Sequence, residues 1–325
     1  IAIPAWKIAP ALAFGNTVVL KPSEYTPGVA HALFRILDEQ GLLPGVANLV
    51  NGSGKHAAQG LLSGVDAVSF TGSVHVGQSI AQTAMGEMIR LQLEMGGKNP
   101  LVVLDDADLD VAVECALNGA FFSAGQRCTA SSRLIVTERI HDRFVDALTA
   151  RMRAMVVGNS LDKATQIGPV INQSQFDKIQ HYLDLGKREG AELVEGGSPV
   201  EAATPGYFVR PALFTGSNNA MRINQEEIFG PVASVIKVAD YDEALATAND
   251  TRFGLSAGIC TTSLRAANHF RLHVRSGLAM VNLPTAGLDY HVPFGGTRAS
   301  SYGPREQGRY AVDFYTSTKT AYIAY

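Results

Sequence analysis

Apolar and polar positions along the first hundred residues follow a rhythm of short strands and longer helices. Asn16-Thr17-Val18-Val19-Leu20 is apolar and β-branched, and the Lys21-Pro22 step ends it. Ser23 or Thr26 can then cap a helix over residues 30–37 that stops at Gly41. Residues 46–50 read as a second strand and residues 55–62 as a helix, followed by a third strand at Ala67-Val68-Ser69-Phe70. After Gly72-Ser73 the spacing predicts a helix over residues 76–85 and a strand over residues 90–94. Strand–helix–strand repeats at this spacing predict a parallel, doubly wound sheet.

A second alternating set follows. It predicts strands at residues 101–104, 134–136 and 232–238, and helices at residues 108–122, 141–155, 173–189 and 241–249. Gly96-Gly97 is the natural hinge between the two sets. The last residues, 314–325, are rich in Tyr, Thr and Ile and have no nearby partner in sequence, as expected of a terminal strand that pairs with another subunit. There is no internal repeat and no low-complexity stretch.

Composition adjusts this picture only at its edges. With 325 residues, 46% of them hydrophobic, the chain can bury two cores, so the fold class is α/β with two domains. A net charge of -3 with both signs interspersed offers no footprint for nucleic acid or an anionic membrane. No apolar run approaches the roughly 20 residues that span a bilayer. Ile1-Ala2-Ile3-Pro4-Ala5-Trp6 reads as sequence from inside a domain, so a longer protein is expected. The three cysteines are odd in number and lack C-x-x-C spacing, which argues against a disulfide framework or a structural zinc and for reduced, cytoplasmic thiols.

Several local patterns carry chemistry, each beside a plainer reading. Gly52-Ser53-Gly54-Lys55-His56-Ala57 fits a dinucleotide loop between strand and helix, but no acidic residue ends a strand about 20 residues later. A P-loop is rejected, because Leu49 stands at its first glycine and His56 at its Ser/Thr. Phe70-Thr71-Gly72-Ser73-Val74-His75-Val76-Gly77 could present helix-start N–H groups to pyrophosphate, or be an ordinary tight turn. Lys21 and Glu24 close the first strand at its ligand-binding end, or form a solvated helix start. Glu94 alternates with Leu91, Leu93 and Met95, so it belongs to a wet polar face or, just before Gly96-Gly97, serves as a general base. Cys115 and Cys260 sit among apolar residues as structural cysteines do, whereas Cys128 sits among Ser123, Ala124, Gly125, Gln126 and Thr129. That company marks Cys128 as the candidate nucleophile.

Six runs in order carry a resemblance along the whole chain. They are Thr17-Val18-Val19-Leu20-Lys21-Pro22-Ser23-Glu24, Phe70-Thr71-Gly72-Ser73, Leu93-Glu94-Met95-Gly96-Gly97-Lys98, Gly125-Gln126-Arg127-Cys128, Glu226-Glu227-Ile228-Phe229-Gly230-Pro231 and Pro293-Phe294-Gly295-Gly296. Together they resemble the aldehyde dehydrogenase superfamily. The resemblance implies a nucleotide-binding portion at 1–96, a catalytic domain at 97–307 and an oligomerisation arm at 308–325 that pairs subunits into a homodimer or homotetramer. It implies that Cys128 attacks the aldehyde carbon, its backbone N–H and an asparagine preceding Ile1 stabilise the oxyanion, and Glu94 activates the hydrolytic water. Lys7 and Glu306 match a pair that assists proton exit. Lys21, Glu24, Gly52, Phe70, Gly72, Ser73 and Val76 fall to the cofactor, with Glu227 and Phe229 at its nicotinamide end; no metal is implied.

The same resemblance narrows the reaction. Glu94 points to a carboxylate product, since members that acylate coenzyme A generally lack it. Glu24 would accept from ribose hydroxyls and repel a 2′-phosphate, so NAD is favoured, with NADP left open by the cationic Lys21. Residues 282–294 and 300–308 resemble the branch acting on α-ketoglutaric semialdehyde (2,5-dioxopentanoate), an enzyme of sugar-acid catabolism. A carboxylate-bearing substrate calls for an arginine. Arg127 is the first candidate and Arg298 the second, with Thr129 and Phe294 beside the substrate; Arg127 as an outward-facing surface residue is the plainer reading. The alternatives are another semialdehyde or aliphatic aldehyde, or a non-catalytic homologue retaining the fold.

Overall fold

The computed structural model describes residues 1–54, 60–287 and 289–325. The expected helix start at Lys55, the Lys55-His56-Ala57 part of the first glycine pattern and Leu288 lie outside the described residues. The chain divides into two compact units, one of Ile1–Met95, Leu288–Gly295 and Ser301–Tyr325, the other of Gly96–Gly287 and Gly296–Ser300.

The first unit opens on α1 (Ala2–Ala13), which the sequence pattern does not predict because Pro4 and Pro10 argue against a helix. Burial of Ile8 and Ala11 on one face outweighs them. β1 (Val18–Leu20) pairs in parallel with β2 (Ala47–Leu49) across α2 (Pro27–Glu39), whose N-cap is Thr26 and whose Pro27 sits at the first position where a missing N–H costs nothing. β3 (Ala67–Thr71) pairs in parallel with β4 (Arg90–Glu94) across α3 (Val74–Gly86), and the two-residue strand Ser301–Tyr302 lies antiparallel on the other edge of β4. Among the described residues, the strands expected to share one sheet thus fall into two, β1-β2 and a three-stranded sheet centred on β4.

The central place of β4 explains a departure from its pattern. Its alternation holds: Leu91 and Leu93 pack with Ile80 and Ala84 of α3. The opposite face, however, is not in water, since Gln92 and Glu94 are 0% and 3% exposed. The reading of Glu94 as part of a wet polar face is therefore corrected.

The second unit is built on β5 (Asn99–Val103), β6 (Ser131–Thr137), β7 (Glu192–Glu195), β8 (Ala212–Ser217), β9 (Val232–Val238), β10 (Ser256–Cys260) and β11 (Leu278–Val281), in the order β11-β10-β5-β6-β9-β8-β7. Every pairing is parallel except β7 with β8. Strands buried on both faces need helices on both. α4 (Leu109–Ala120), α5 (Glu138–Arg153) and α6 (Gln173–Arg188) pack on one face around Leu134, Val136 and Phe144. α7 (Tyr241–Asn249) and α8 (Leu264–His273) supply Ala244, Ala248 and Phe270 to the other, around Val102 and Ile135.

At the C-terminus, Val312–Tyr315 form a helical turn held by Arg90, which donates to Phe314 O at 3.0 Å and Thr316 O at 2.5 Å. Residues 317–325 carry no strand within this single chain, and Tyr322 and Ile323 are exposed. No helix among the described residues is long and apolar enough to cross a membrane.

Candidate active site

In the second unit, the Cys128 turn begins where α4 ends. Asp108 caps that helix, accepting from Asp110 N at 3.0 Å and Val111 N at 3.1 Å. Beyond Phe121 the chain reverses through three successive left-handed residues, Ser123, Ala124 and Gly125, at φ 57°, 53° and 64°. Gly125 also lies against the Gly230 carbonyl, so any side chain there would strike backbone. Non-glycine residues at positive φ are costly and persist only where the surroundings hold them. Here the turn delivers Cys128, half-buried, just before β6. Cys115 and Cys260 are in the hydrophobic core, at 4% and 1% exposure.

The carbonyls after this turn are held from outside. Asn99 Nδ2 donates to Cys128 O at 2.8 Å and to Ala130 O at 2.9 Å, and Thr285 Oγ1 donates to Thr129 O at 2.7 Å. Arg127 is half-buried rather than outward-facing, which corrects that reading. Its Nη2 donates to Asn118 O, and burial lowers its pKa. A cation on the last carbonyls of a helix is favourable. Thr129 is buried.

Glu227 and Phe229 share the unit with Cys128. Glu227 Oε1 accepts from Gly97 N–H at 2.9 Å, and its carboxylate fills the space where a side chain at Gly96 would lie. Burial raises the Glu227 pKa, while the Gly97 N–H and the charges of Lys178 and Lys98 oppose the rise. Lys98 is itself 1% exposed with no hydrogen-bond partner on Nζ, and burial pushes it down to about 7. Phe229 adopts φ 60°, and Gln175 Nε2 donates to both the Ile228 and Phe229 carbonyls at 2.9 Å. A shallow recess in this unit is lined by Gly97, Arg127, Ser132, Glu227 and Phe229 among others.

In the first unit a buried polar cluster gathers Glu94, Lys7 and Glu306. Lys7 Nζ donates to Ser69 Oγ at 2.7 Å and pairs with Glu306, and Ser69 Oγ donates to Gln92 Oε1 at 2.8 Å. Phe294 belongs here too, exchanging backbone hydrogen bonds with Glu306 at 2.7 and 2.8 Å and packing its ring 6.0 Å from Trp6. Glu94 Oε2 accepts from Ser301 Oγ at 2.5 Å, and Gly295 leaves room for Oε1. Burial drives the Glu94 pKa from 4.5 to about 8; Ser301 pulls it down, Glu306 pushes it up, and Lys7 and Arg305 pull it down. A carboxyl poised near the operating pH suits a general base.

The residues expected to hold a dinucleotide lie at carboxyl ends of strands in the same unit. Lys21 follows β1, with Nζ donating to Pro22 O at 2.5 Å and Gly52 O at 3.5 Å, and Glu24 is exposed. Ser73 caps α3, accepting from Val76 N at 3.4 Å, directly after β3. Gly72 lies against the Phe70 ring where no side chain would fit, and Val76 is exposed on the first turn. A 13-residue helix starting on an exposed serine cap can present its first N–H groups to an anion.

Sequence reading missed Asn99, Lys98, Ser69, Gln92 and Ser301. The first two stand within or beside a quoted run, yet nothing local reveals that Asn99 reaches forward 29 residues to Cys128. Arg298, the second arginine candidate, donates to the Asn249 carbonyl at 2.8 Å and the Thr251 carbonyl at 2.5 Å. Among the described residues, no group of three or more His, Cys, Asp or Glu could hold a metal ion.

A profile of the aldehyde dehydrogenase family matches residues 1–321. The α-ketoglutaric semialdehyde dehydrogenase of Bacillus subtilis is 46% identical over 327 residues, covering 99% of this chain and 67% of that protein. The α-ketoglutarate semialdehyde dehydrogenase of Haloferax volcanii is 48% identical over 330 residues, covering 100% of this chain and 68% of that protein. A crystal structure of betaine aldehyde dehydrogenase from Staphylococcus aureus in complex with NAD+ superposes with a TM-score of 0.93 at 37% identity, over 96% of this chain and 62% of that one. The chain thus spans about two thirds of the length of the proteins it matches, and it belongs to the aldehyde dehydrogenase family.

Proposed function

We propose that this chain forms the catalytic part of an NAD-dependent enzyme that oxidises an aldehyde to a carboxylate through a thioester on Cys128. The observation that carries the reading is Glu94, a carboxyl buried to 3% exposure at a strand end with its pKa near 8. Cys128 Sγ, as thiolate, adds to the aldehyde carbon, and the backbone N–H of Cys128 stabilises the oxyanion. NAD, when bound, supplies the acceptor for the hydride that the thiohemiacetal carbon releases, leaving the thioester. Glu94 then takes a proton from water as its oxygen attacks the thioester carbonyl, and the carboxylate leaves as Cys128 is regenerated. The Lys7–Glu306 pair gives the Glu94 proton a route outward. Lys21, Glu24, Gly52, Phe70, Gly72, Ser73 and Val76 would hold the adenosine and pyrophosphate, and Glu227 and Phe229 the nicotinamide ribose and ring.

The substrate proposed is α-ketoglutaric semialdehyde, supported by the names and 46–48% identities of the two relatives. Cytoplasmic location and assembly through residues 308–325 accompany that reading. The test is NADH formation from 2,5-dioxopentanoate by the complete polypeptide, without coenzyme A or phosphate. Activity is expected in the wild type and absent in Cys128→Ala; equal activity in both refutes the reading. Arg127→Ala separates substrate recognition from helix capping. A carboxylate substrate is expected to lose about tenfold more kcat/KM than a neutral aldehyde. Equal losses would leave Arg127 as a structural cap and favour a different aldehyde.

A further inference from the structure

We infer that Asn99 is a positioning residue that sets the Cys128 peptide through a clamp on three successive carbonyls. The inference rests on Cys128 being the nucleophile. β5 and β6 run parallel, with Asn99 opposite Ser131 and Pro100 opposite Arg133, so the register slips by one residue at this point. Pro100 has no N–H to give, and the ladder loses a donor where the slip occurs. The Cys128, Thr129 and Ala130 carbonyls lie just before the start of β6, and each accepts from a side chain instead. Asn99 serves two of them, at 2.8 and 2.9 Å, and Thr285 serves the third at 2.7 Å.

The clamp is over-determined. Asn99 is 1% exposed, and its Oδ1 accepts from Ser256 N at 3.0 Å, so both amide hydrogens and the carbonyl are engaged. Thr285 Oγ1 is braced by Ser131 Oγ at 2.6 Å. The Cys128 carbonyl is also closed in from the other side, because a Cβ at Gly97 would lie 2.6 Å from it. Fixing that carbonyl constrains the Cys128 peptide, and with it the place of the Cβ that carries Sγ and of the backbone N–H. The N–H of Gly97, two residues before Asn99, holds Glu227, so one short segment sets both the cysteine turn and the Glu227 carboxylate.

The experiment compares Asn99→Asp and Asn99→Ala with Ile135→Val, a core change remote from any proposed contact. Asn99→Asp keeps the shape and the Ser256 contact while removing both donors. Expected for both Asn99 variants is a fall in kcat of about 100-fold with KM for NAD within about threefold of wild type, the pattern of a misplaced reacting group. The rate of iodoacetamide alkylation of Cys128 against pH is expected to change in shape or midpoint. Ile135→Val is expected to shift Tm and leave the alkylation profile untouched. Folded Asn99 variants with wild-type kcat and alkylation profile would overturn the inference. If neither variant folds, Thr285→Val, which removes one of the three bonds, is expected to cost about tenfold in kcat; an unchanged kcat there overturns it equally. NADH formation retained in Cys128→Ala would instead defeat the underlying assignment of the nucleophile.

Discussion

Glu94 in the first unit and Glu227 in the second are both carboxylates whose pKa burial raises, but their partners differ. Glu94 receives one hydroxyl hydrogen bond from Ser301 and stands in the field of a second buried carboxylate, Glu306, so burial wins and its pKa rises to about 8. Glu227 receives a backbone N–H at 2.9 Å, with Lys98 and Lys178 nearby, which offset part of its burial. A backbone donor cannot rotate away, and fixed cations stabilise the ionised form. The first environment suits a group that takes up and releases a proton. The second suits one whose carboxylate is held in a fixed place.

The sharpest way to break this contrast is Glu94→Gln, which keeps the shape and removes the base. Steady-state turnover is expected to fall about 10³-fold while the first turnover still yields NADH, because the proposed acyl formation does not use Glu94. In the wild type, the hydrolytic step should rise with pH through about 8 as Glu94 ionises, and Glu94→Gln should flatten that rise. Rapid-mixing kinetics across pH 6 to 9 check both. An intact turnover rate would move the base elsewhere.

Stability gives the same comparison another reading. A carboxyl whose folded pKa lies above its unfolded value favours folding fully below pH 4.5 and loses that contribution as pH rises toward 8. At about 1.4 kcal/mol per pH unit, the loss amounts to roughly 5 kcal/mol at most. Glu94→Gln should therefore melt higher than wild type at pH 8, by a margin that shrinks toward pH 5. A constant margin would mean that Glu94 is not buried as a charge. Such a site trades stability for chemistry.

The smallest effect expected is at Glu227. In Glu227→Gln the amide oxygen can still accept from Gly97, so KM for NAD should rise by only about tenfold with little change in Tm. Glu227→Asp, too short to reach Gly97, should be worse than the glutamine. The reverse ranking would show that charge rather than placement matters there.

The candidate site is written in the chain as short runs. Cys128 stood out by its small, polar neighbours, and Glu94 by ending a strand before Gly96-Gly97. The helix at Tyr241–Asn249 and the strand at Val232–Val238 follow their patterns to the residue. α1 was hidden by its prolines, and β7 and β8 by an irregular, glycine-rich surrounding in which no clear period survives.

Periodicity depends only on which residues neighbour each other along the chain, so the amino-acid sequence determined most of the elements, the α/β class and the ordered runs that mark the family. It assigned Glu94 to a polar face and left open whether that face was wet. Burial, pKa and long-range hydrogen bonds depend on what the fold brings from distant segments. Only the tertiary structure placed Ser301 on Glu94, Ser69 on Lys7, and Asn99 on the carbonyl of Cys128.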